Sequence, residues 1–210
     1  MLTAILLLAA GSSSRLGQPK QLLHYQGQTL LRRAATTAIA AAGGPVIVVT
    51  GALHEELLPE LAGLPLTVVR CPEWEQGMGA SLKSGLAALE KNVTSDSIAG
   101  ITVMLCDQPL VTPALLRQLS ATHSATGQPI VASEYGGVRG VPVFFASRMV
   151  PLLLHMPHAA GAAQLLKQHP AWVATVAFPG GATDVDTPAQ YEALLAQEPP
   201  RHSATSAANR

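Results

Sequence analysis

Aromatic side chains make up only 4% of this 210-residue chain, so a core has to come from aliphatic residues and alanine, which dominate the 48% hydrophobic fraction. Charge is equally sparse. Thirteen basic and thirteen acidic residues cancel, and with neither sign concentrated there is no electrostatic footprint for a nucleic-acid backbone. The two cysteines, Cys71 and Cys106, form no Cys-x-x-Cys pair, which argues against structural zinc. Cys106 closes an apolar run and reads as a small core residue rather than a nucleophile. No apolar run is long enough for a membrane span. Residues 1–10 are apolar but lack a charged leading segment and pass straight into a polar loop, unlike a signal peptide. The expectation is a soluble, cytoplasmic chain with one domain over residues 1–197 and a disordered tail at 198–210, free of periodic apolar residues.

What is present begins with Leu6-Leu7-Leu8-Ala9-Ala10-Gly11-Ser12-Ser13-Ser14-Arg15-Leu16-Gly17-Gln18-Pro19-Lys20. An apolar run of the kind that forms a buried parallel strand delivers the chain into small hydroxyl-bearing residues, then an Arg and a Lys. Such a loop suits polyphosphate: small residues free backbone N–H groups to converge on phosphate oxygens, and Arg15 and Lys20 add cationic donors. Two common phosphate loops are excluded. Gly11 and Gly17 have five residues between them and Lys20 comes later, which breaks the Walker spacing, and no Gly-x-Gly-x-x-Gly is present for a dinucleotide. The bland alternative is a strand-to-helix loop, but that requires neither cation.

Ala-Ala-Gly-x-Ser-x-Arg-Leu-Gly-x-Pro-Lys resembles the opening signature of the molybdenum-cofactor nucleotidylyltransferases. The cytidylyl branch fits better than the guanylyl branch, which usually opens Leu-Ala-Gly-Gly. The resemblance covers roughly residues 3–197 and implies a three-layer α/β fold of the nucleotide-diphospho-sugar transferase type, with a Rossmann-like, mostly parallel sheet. Alternating elements point the same way: helices at 29–42, 79–91, 113–126 and 188–197, strands at 46–50, 66–70 and 101–105, and right-handed crossovers between them. Pro59 suggests that the helix at 55–61 starts late or is interrupted. Pro142, in a strand at 141–145, points to an edge or bulged position, and residues 147–168 read as one helical region.

Three further stretches carry chemistry. In Gly77-Met78-Gly79-Ala80-Ser81, two glycines before a helix would let backbone pass close to a flat ligand. The resemblance makes this the loop over the nucleobase; otherwise Gly77 and Gly79 shape a turn and Ser81 caps a helix, with Trp74 upstream in packing. In Ile101–Leu110, an apolar strand ends in Cys106-Asp107-Gln108-Pro109. Ligands of open α/β sheets lie beyond the carboxyl ends of the strands, so Asp107 should approach the 10–20 loop. The chain has only four Asp residues, and Asp96 sits in a polar, exposed-looking connection. Asp107 is therefore the leading ligand for Mg²⁺, a cation held by one or two carboxylates together with substrate phosphates. In Asp184-Val185-Asp186-Thr187-Pro188, the family match makes Asp186 the second ligand and Asp184 a less certain neighbour. Asp186 or Thr187 would otherwise merely cap the helix at 188–197.

The nucleotide-binding set is then Ala9, Ala10, Gly11, Ser12, Ser13, Arg15, Lys20, Gly77, Gly79, Ser81 and Asp107. Arg15, Lys20 and Asp107 are the catalytic residues, and Asp107 and Asp186 the metal ligands. The resemblance implies CTP and molybdopterin as substrates, with a molybdoenzyme or its insertion chaperone as a protein partner and no nucleic acid or membrane. Within the enzyme class, a cytidylyltransferase of isoprenoid synthesis is an alternative that Pro19-Lys20-Gln21 favours. Against it, the strand end is Cys-Asp-Gln-Pro where that family carries a His-Asp-Ala-Ala-Arg type. Outside the class stands an accessory protein that binds the cofactor without turnover. Residues 156–164 depart from the pattern: relatives show Gly-Asp-x-Gly-Ala-Arg, and this chain has Met156-Pro157-His158-Ala159-Ala160-Gly161-Ala162-Ala163-Gln164. His155 and His158, with no carboxylate motif beside them, read as surface histidines.

Overall fold

The apolar runs become strands of one seven-stranded sheet in a computed structural model that describes residues 2–13, 16–92 and 97–197. The strands are β1 (Leu2–Ala9), β2 (His24–Tyr25), β3 (Gln28–Thr29), β4 (Val46–Thr50), β5 (Thr67–Arg70), β6 (Ile98–Leu105), β7 (Ile130–Tyr135), β8 (Val138–Ala146) and β9 (Val173–Ala177). Their order in the large sheet is β5-β4-β1-β6-β8-β7-β9, while β2 and β3 pair apart as a short antiparallel ribbon. Within the large sheet, among the described residues, only β8 runs against its neighbours. The central strands are buried on both faces, with Leu6, Leu7, Ile47, Val48 and Ile101 each at most 2% exposed. Side chains of this size contribute about 1.5–3 kcal/mol each when fully buried, so aliphatic residues suffice for the core.

The helices are α1 (Leu30–Ala41), α2 (His54–Leu61), α3 (Met78–Asn92), α4 (Pro113–Thr126), α5 (Val150–His155), α6 (Ala162–Gln168) and α7 (Pro188–Leu195). Their starts follow side-chain chemistry. Thr29 and Thr112 accept from the Arg32 and Leu115 N–H groups, each at 3.2 Å, caps worth about 1 kcal/mol apiece. Gly127, at φ +70°, ends α4 in the left-handed region. Pro59 neither delays nor interrupts α2, which begins at His54 and carries the proline through its last turn. The region 147–168 is two helices, because α5 stops at His155 and α6 starts only at Ala162.

Of the two positions expected for Pro142, edge or bulge, the structure shows the bulge, inside the sheet. Pairing jumps from Ala132–Val143 to Ser133–Gly140, so Val141 and Pro142 bulge out of the ladder, and the Ser133 hydroxyl donates to the Pro142 carbonyl at 2.7 Å. The crossovers need correction: they do not share one hand. Helices α1 and α4 pack side by side on one face, with Arg117 donating to the Ala40 carbonyl at 2.9 Å. Yet α1 connects β1 to β4, stepping toward β5, and α4 connects β6 to β7, stepping toward β9. Connections on one face that step in opposite directions have opposite hands.

A second apolar cluster decides where the site forms. Leu16, Leu23, Tyr25, Leu30, Val185 and Leu194 pack together apart from the main core. They lock the segment that carries Lys20 against the one that carries Asp186.

Candidate functional site

Beyond the carboxyl end of β1, the turn at 10–13 is shaped by a side chain the sequence reading passed over. Gln21, 1% exposed, donates from Nε2 to the carbonyls of Ala9 at 3.2 Å and Gly11 at 2.7 Å. Its Oε1 accepts from the Ser13 hydroxyl at 3.0 Å, and the Ser13 Oγ in turn accepts the Lys20 N–H at 3.0 Å. One buried carboxamide thus ties both ends of the loop. Ser13 sits at φ +58°, a conformation that needs outside support. The only sequence signal was an amide directly after the lysine. Arg15 and Ser14 lie outside the described residues.

Lys20 extends from this loop to the end of β6. Its Nζ lies 2.5 Å from Asp107 Oδ2 and 2.8 Å from Asp186 Oδ1. Burial alone would lower the Lys20 pKa, but attraction and hydrogen bonds from Asp107, with a hydrogen bond from Asp186, outweigh it and raise the value above the ordinary range. For Asp107 burial dominates and pushes the carboxyl upward, with the Lys20 charge pulling it back. The neighbouring Cys106 thiol is buried and pushed up to about 12, so it stays protonated at neutral pH and is no nucleophile.

Two cavities meet at this cluster. The first, of about 370 Å³, is lined by Ala9, Ala10, Gly11, Ser12, Ser13, Lys20, Gly77, Ser81, Asp107 and Asp186, together with Trp74 and Met78. The second, of about 350 Å³, opens on the other side and shares Lys20, Met78, Leu105, Asp107 and Asp186 with the first. Its remaining wall includes Gln108, Tyr135 and Asp184. Gln108 and Tyr135 were not singled out from sequence. Gln108 is buried and donates to the Val141 carbonyl at 3.1 Å, and burial raises the Tyr135 hydroxyl against a hydrogen bond from Gln108.

Gly79 is not on either lining. A Cβ there would lie 2.4 Å from the Pro157 carbonyl oxygen, and its N–H donates to the His158 carbonyl at 2.8 Å. At Gly77, with φ +120°, a Cβ would lie 2.7 Å from the same His158 oxygen. The two glycines therefore receive the backbone of residues 157–160, the segment between α5 and α6. The His158 ring bonds the Gln76 side chain across this seam, and His155 bonds the Pro151 carbonyl at 2.6 Å.

A divalent cation fits the carboxylate pair chemically. Asp107 Oδ1 is buried without a hydrogen-bond partner among the described residues, and both aspartates offer hard oxygen donors at one point. Among the described residues no group of three or more His, Cys, Asp or Glu side chains is placed to hold a metal, so substrate phosphate would have to complete the coordination. Asp184 accepts from Gln190 Nε2 at 3.1 Å.

The profile of a family described as the MobA-like NTP transferase domain matches residues 5–173. The chain is 33% identical to the nicotine blue oxidoreductase of Paenarthrobacter nicotinovorans over 197 residues, covering 90% of this chain and 94% of that protein. It is 28% identical over 197 residues to the purine catabolism protein PucB of Bacillus subtilis, covering 88% and 92%. Among solved structures, Rv0371c of Mycobacterium tuberculosis superposes with a TM-score of 0.81 at 32% identity, covering 93% of this chain and 98% of that one. A second structure of that protein is a manganese complex, with a TM-score of 0.74 at 29% identity and coverage of 94% and 100%. Solved nucleotidyltransferases at 20% identity and below share the fold alone, that of the nucleotide-diphospho-sugar transferases.

Proposed function

From the premise that the chain belongs to the MobA-like NTP transferase family, we propose that it moves CMP from CTP to the terminal phosphate of molybdopterin, or of its molybdenum-loaded form, releasing pyrophosphate. The observation that carries this reading is the Lys20–Asp107–Asp186 cluster on the wall common to two cavities. A transferase needs two substrates to meet at one centre of charge. The cavity beside the 9–13 loop suits the triphosphate, because small residues let its backbone approach phosphate oxygens. The other cavity suits the acceptor.

The chemistry is an in-line displacement. A terminal phosphate oxygen of the acceptor attacks the α-phosphorus of CTP, the new P–O bond forms, and the bond to the β-phosphate breaks with its electron pair leaving on pyrophosphate. No covalent enzyme intermediate is needed, since the nucleophile is already anionic. Lys20 stays protonated and stabilises the charge that gathers on the leaving pyrophosphate, with Arg15 assigned to the same task. Asp107 and Asp186 orient Lys20 and would hold Mg²⁺, which when bound supplies charge neutralisation at the phosphate oxygens. That Rv0371c forms a manganese complex supports a divalent cation as a ligand of this chain. The cytidylyl choice rests on the Ala9-Ala10-Gly11 opening and the Cys106-Asp107-Gln108-Pro109 strand end.

A second reading, that of a cofactor-binding accessory protein, draws on residues 156–164, where the charged pair of relatives is replaced by alanines and which pack on Gly77 and Gly79. The test is Mg²⁺-dependent pyrophosphate release from CTP, GTP, ATP and UTP, with and without molybdopterin, with Asp107→Ala as control. Release from CTP only with molybdopterin, lost in the variant, is expected. Activity with another triphosphate overturns the base assignment; molybdopterin binding without any release favours the accessory reading.

A further inference from the structure

We infer that Gln190 is a positioning residue of this site, which fixes Asp186 toward Lys20 and holds Asp184 away from it. The inference rests on the proposed function for its meaning but on hydrogen bonds for its substance. Gln190 is the third residue of α7, and its Oε1 accepts from the N–H groups of Thr187 at 2.9 Å and Asp186 at 3.0 Å. It also accepts from the Thr187 hydroxyl at 3.1 Å, while its own N–H donates to Thr187 Oγ1 at 3.3 Å. That much is a capping box, which Glu fills as readily as Gln.

The amide nitrogen goes further than a cap requires. Gln190 Nε2 donates to Asp184 Oδ1 at 3.1 Å, a contact that a glutamate could not make and would oppose by charge repulsion. Near a helix N-terminus, where the dipole favours an anion, a carboxylate would ordinarily be the better choice. The neutral amide is accounted for by Asp184. One side chain thereby sets the backbone at Asp186, whose carboxylate meets Lys20, and engages the carboxylate two residues earlier, which lines the acceptor-side cavity. From the opposite side the Val185 N–H bonds the Asp107 carbonyl at 3.1 Å. Asp184, Val185 and Asp186 are thus held at fixed spacing from Asp107, and only Asp186 reaches the lysine.

The test compares Gln190→Glu, Asp184→Asn and the double variant with wild type. Gln190→Glu keeps the cap, so its Tm should match wild type, while kcat falls about tenfold or more, in line with the loss of an outer-shell partner. Asp184→Asn still accepts from Gln190 and serves as the reference that separates loss of the acceptor-side carboxylate from loss of the bond. In the double variant the new amide at position 184 can donate to the new carboxylate at position 190, so the bond re-forms with its two ends exchanged and kcat recovers most of the loss. Wild-type turnover in Gln190→Glu, or a double variant as slow as it, overturns the inference. If wild type itself turns over no triphosphate, the functional reading fails, and the crystal structure of Gln190→Glu then decides: a broken Lys20–Asp186 contact sustains the positioning role, and an unchanged one refutes it.

Discussion

The sheet is divided at β6 into two regions that build their cavities by different means. On the β5-β4-β1 side every strand is parallel, and the cavity is bordered by the small residues Ala9, Ala10, Gly11, Ser12 and Ser13, whose turn Gln21 braces from behind. On the β8-β7-β9 side the ladder is mixed and bulged, and the wall includes the polar side chains of Gln108, Tyr135 and Asp184. Backbone recognises what any polyphosphate shares, whereas side chains can be exchanged one at a time. Under the proposed function the common part of the chemistry falls to one side and the acceptor to the other, with Lys20, Asp107 and Asp186 on the seam.

The largest effect should come from the seam. Lys20→Ala is expected to lower kcat by about 10²–10³-fold, the scale for losing one donor to a transition-state anion. KM for the triphosphate should change far less, since the proposed function has the 9–13 backbone bind it independently of Lys20; an equal loss in both would make Lys20 a ground-state ligand instead. The next effect is structural. In Gly79→Ala the new Cβ would clash with the Pro157 carbonyl at 2.4 Å, and backbone on both sides leaves little room to yield. Overpacking of this kind costs about 1–3 kcal/mol, measurable as a shifted urea midpoint at unchanged m. A wild-type midpoint would mean that the 157–160 segment gives way freely and does not fasten the two regions together.

Asp107→Asn separates stability from activity. Because burial raises the Asp107 pKa above its ordinary 3.8, the folded state holds this proton more tightly than the unfolded chain does, and ionisation of the group weakens the fold as pH rises through the window above that value. At pH 7 the variant should therefore be at least as stable as wild type while losing turnover, and any stability advantage should shrink as pH is lowered into that window. Thermal melts from pH 7 to pH 4 check this. A variant clearly less stable than wild type at pH 7 would mean that the pairing with Lys20 outweighs the burial of the charge.

How much was legible in the sequence follows the same division. The strands, the start of α1 at Thr29 and the position of Asp107 at a strand end beside the loop after β1 were readable because each is a local pattern: an apolar period, a hydroxyl before a helix, small residues after a strand. The Asp186 stretch was readable only through the resemblance, since nothing local brings residue 186 to residue 20. Gln21, Gln108 and Gln190 were missed for one reason. A neutral amide carries no signal of its own, and its work lies in which carbonyls, N–H groups and carboxylates the fold places around it. Pro142 pointed to an edge or a bulge because either one spares the missing N–H, and the bulge at Val141-Pro142 does so in the interior. Gly77 and Gly79 were readable as close-approach positions, but the sequence could not say that residues 157–160 approach them.

The smallest predicted effect is the one that tests the division most closely. Tyr135 ends β7, opposite the strand that bulges, reaches the second cavity and touches Gln108 there, and it does not line the cavity beside the 9–13 loop. Tyr135→Phe removes one hydroxyl and leaves the ring, whose edge-on contact with Phe178 at 6.1 Å holds it in place. A single neutral hydrogen bond is worth about 0.5–1.5 kcal/mol, so KM for the acceptor should rise roughly 2- to 10-fold. KM for CTP should not move, because no part of the triphosphate side depends on this hydroxyl. Steady-state kinetics with each substrate varied in turn reads both. If the CTP constant rose instead, Tyr135 would be acting across the seam, and the two cavities would have to be treated as one.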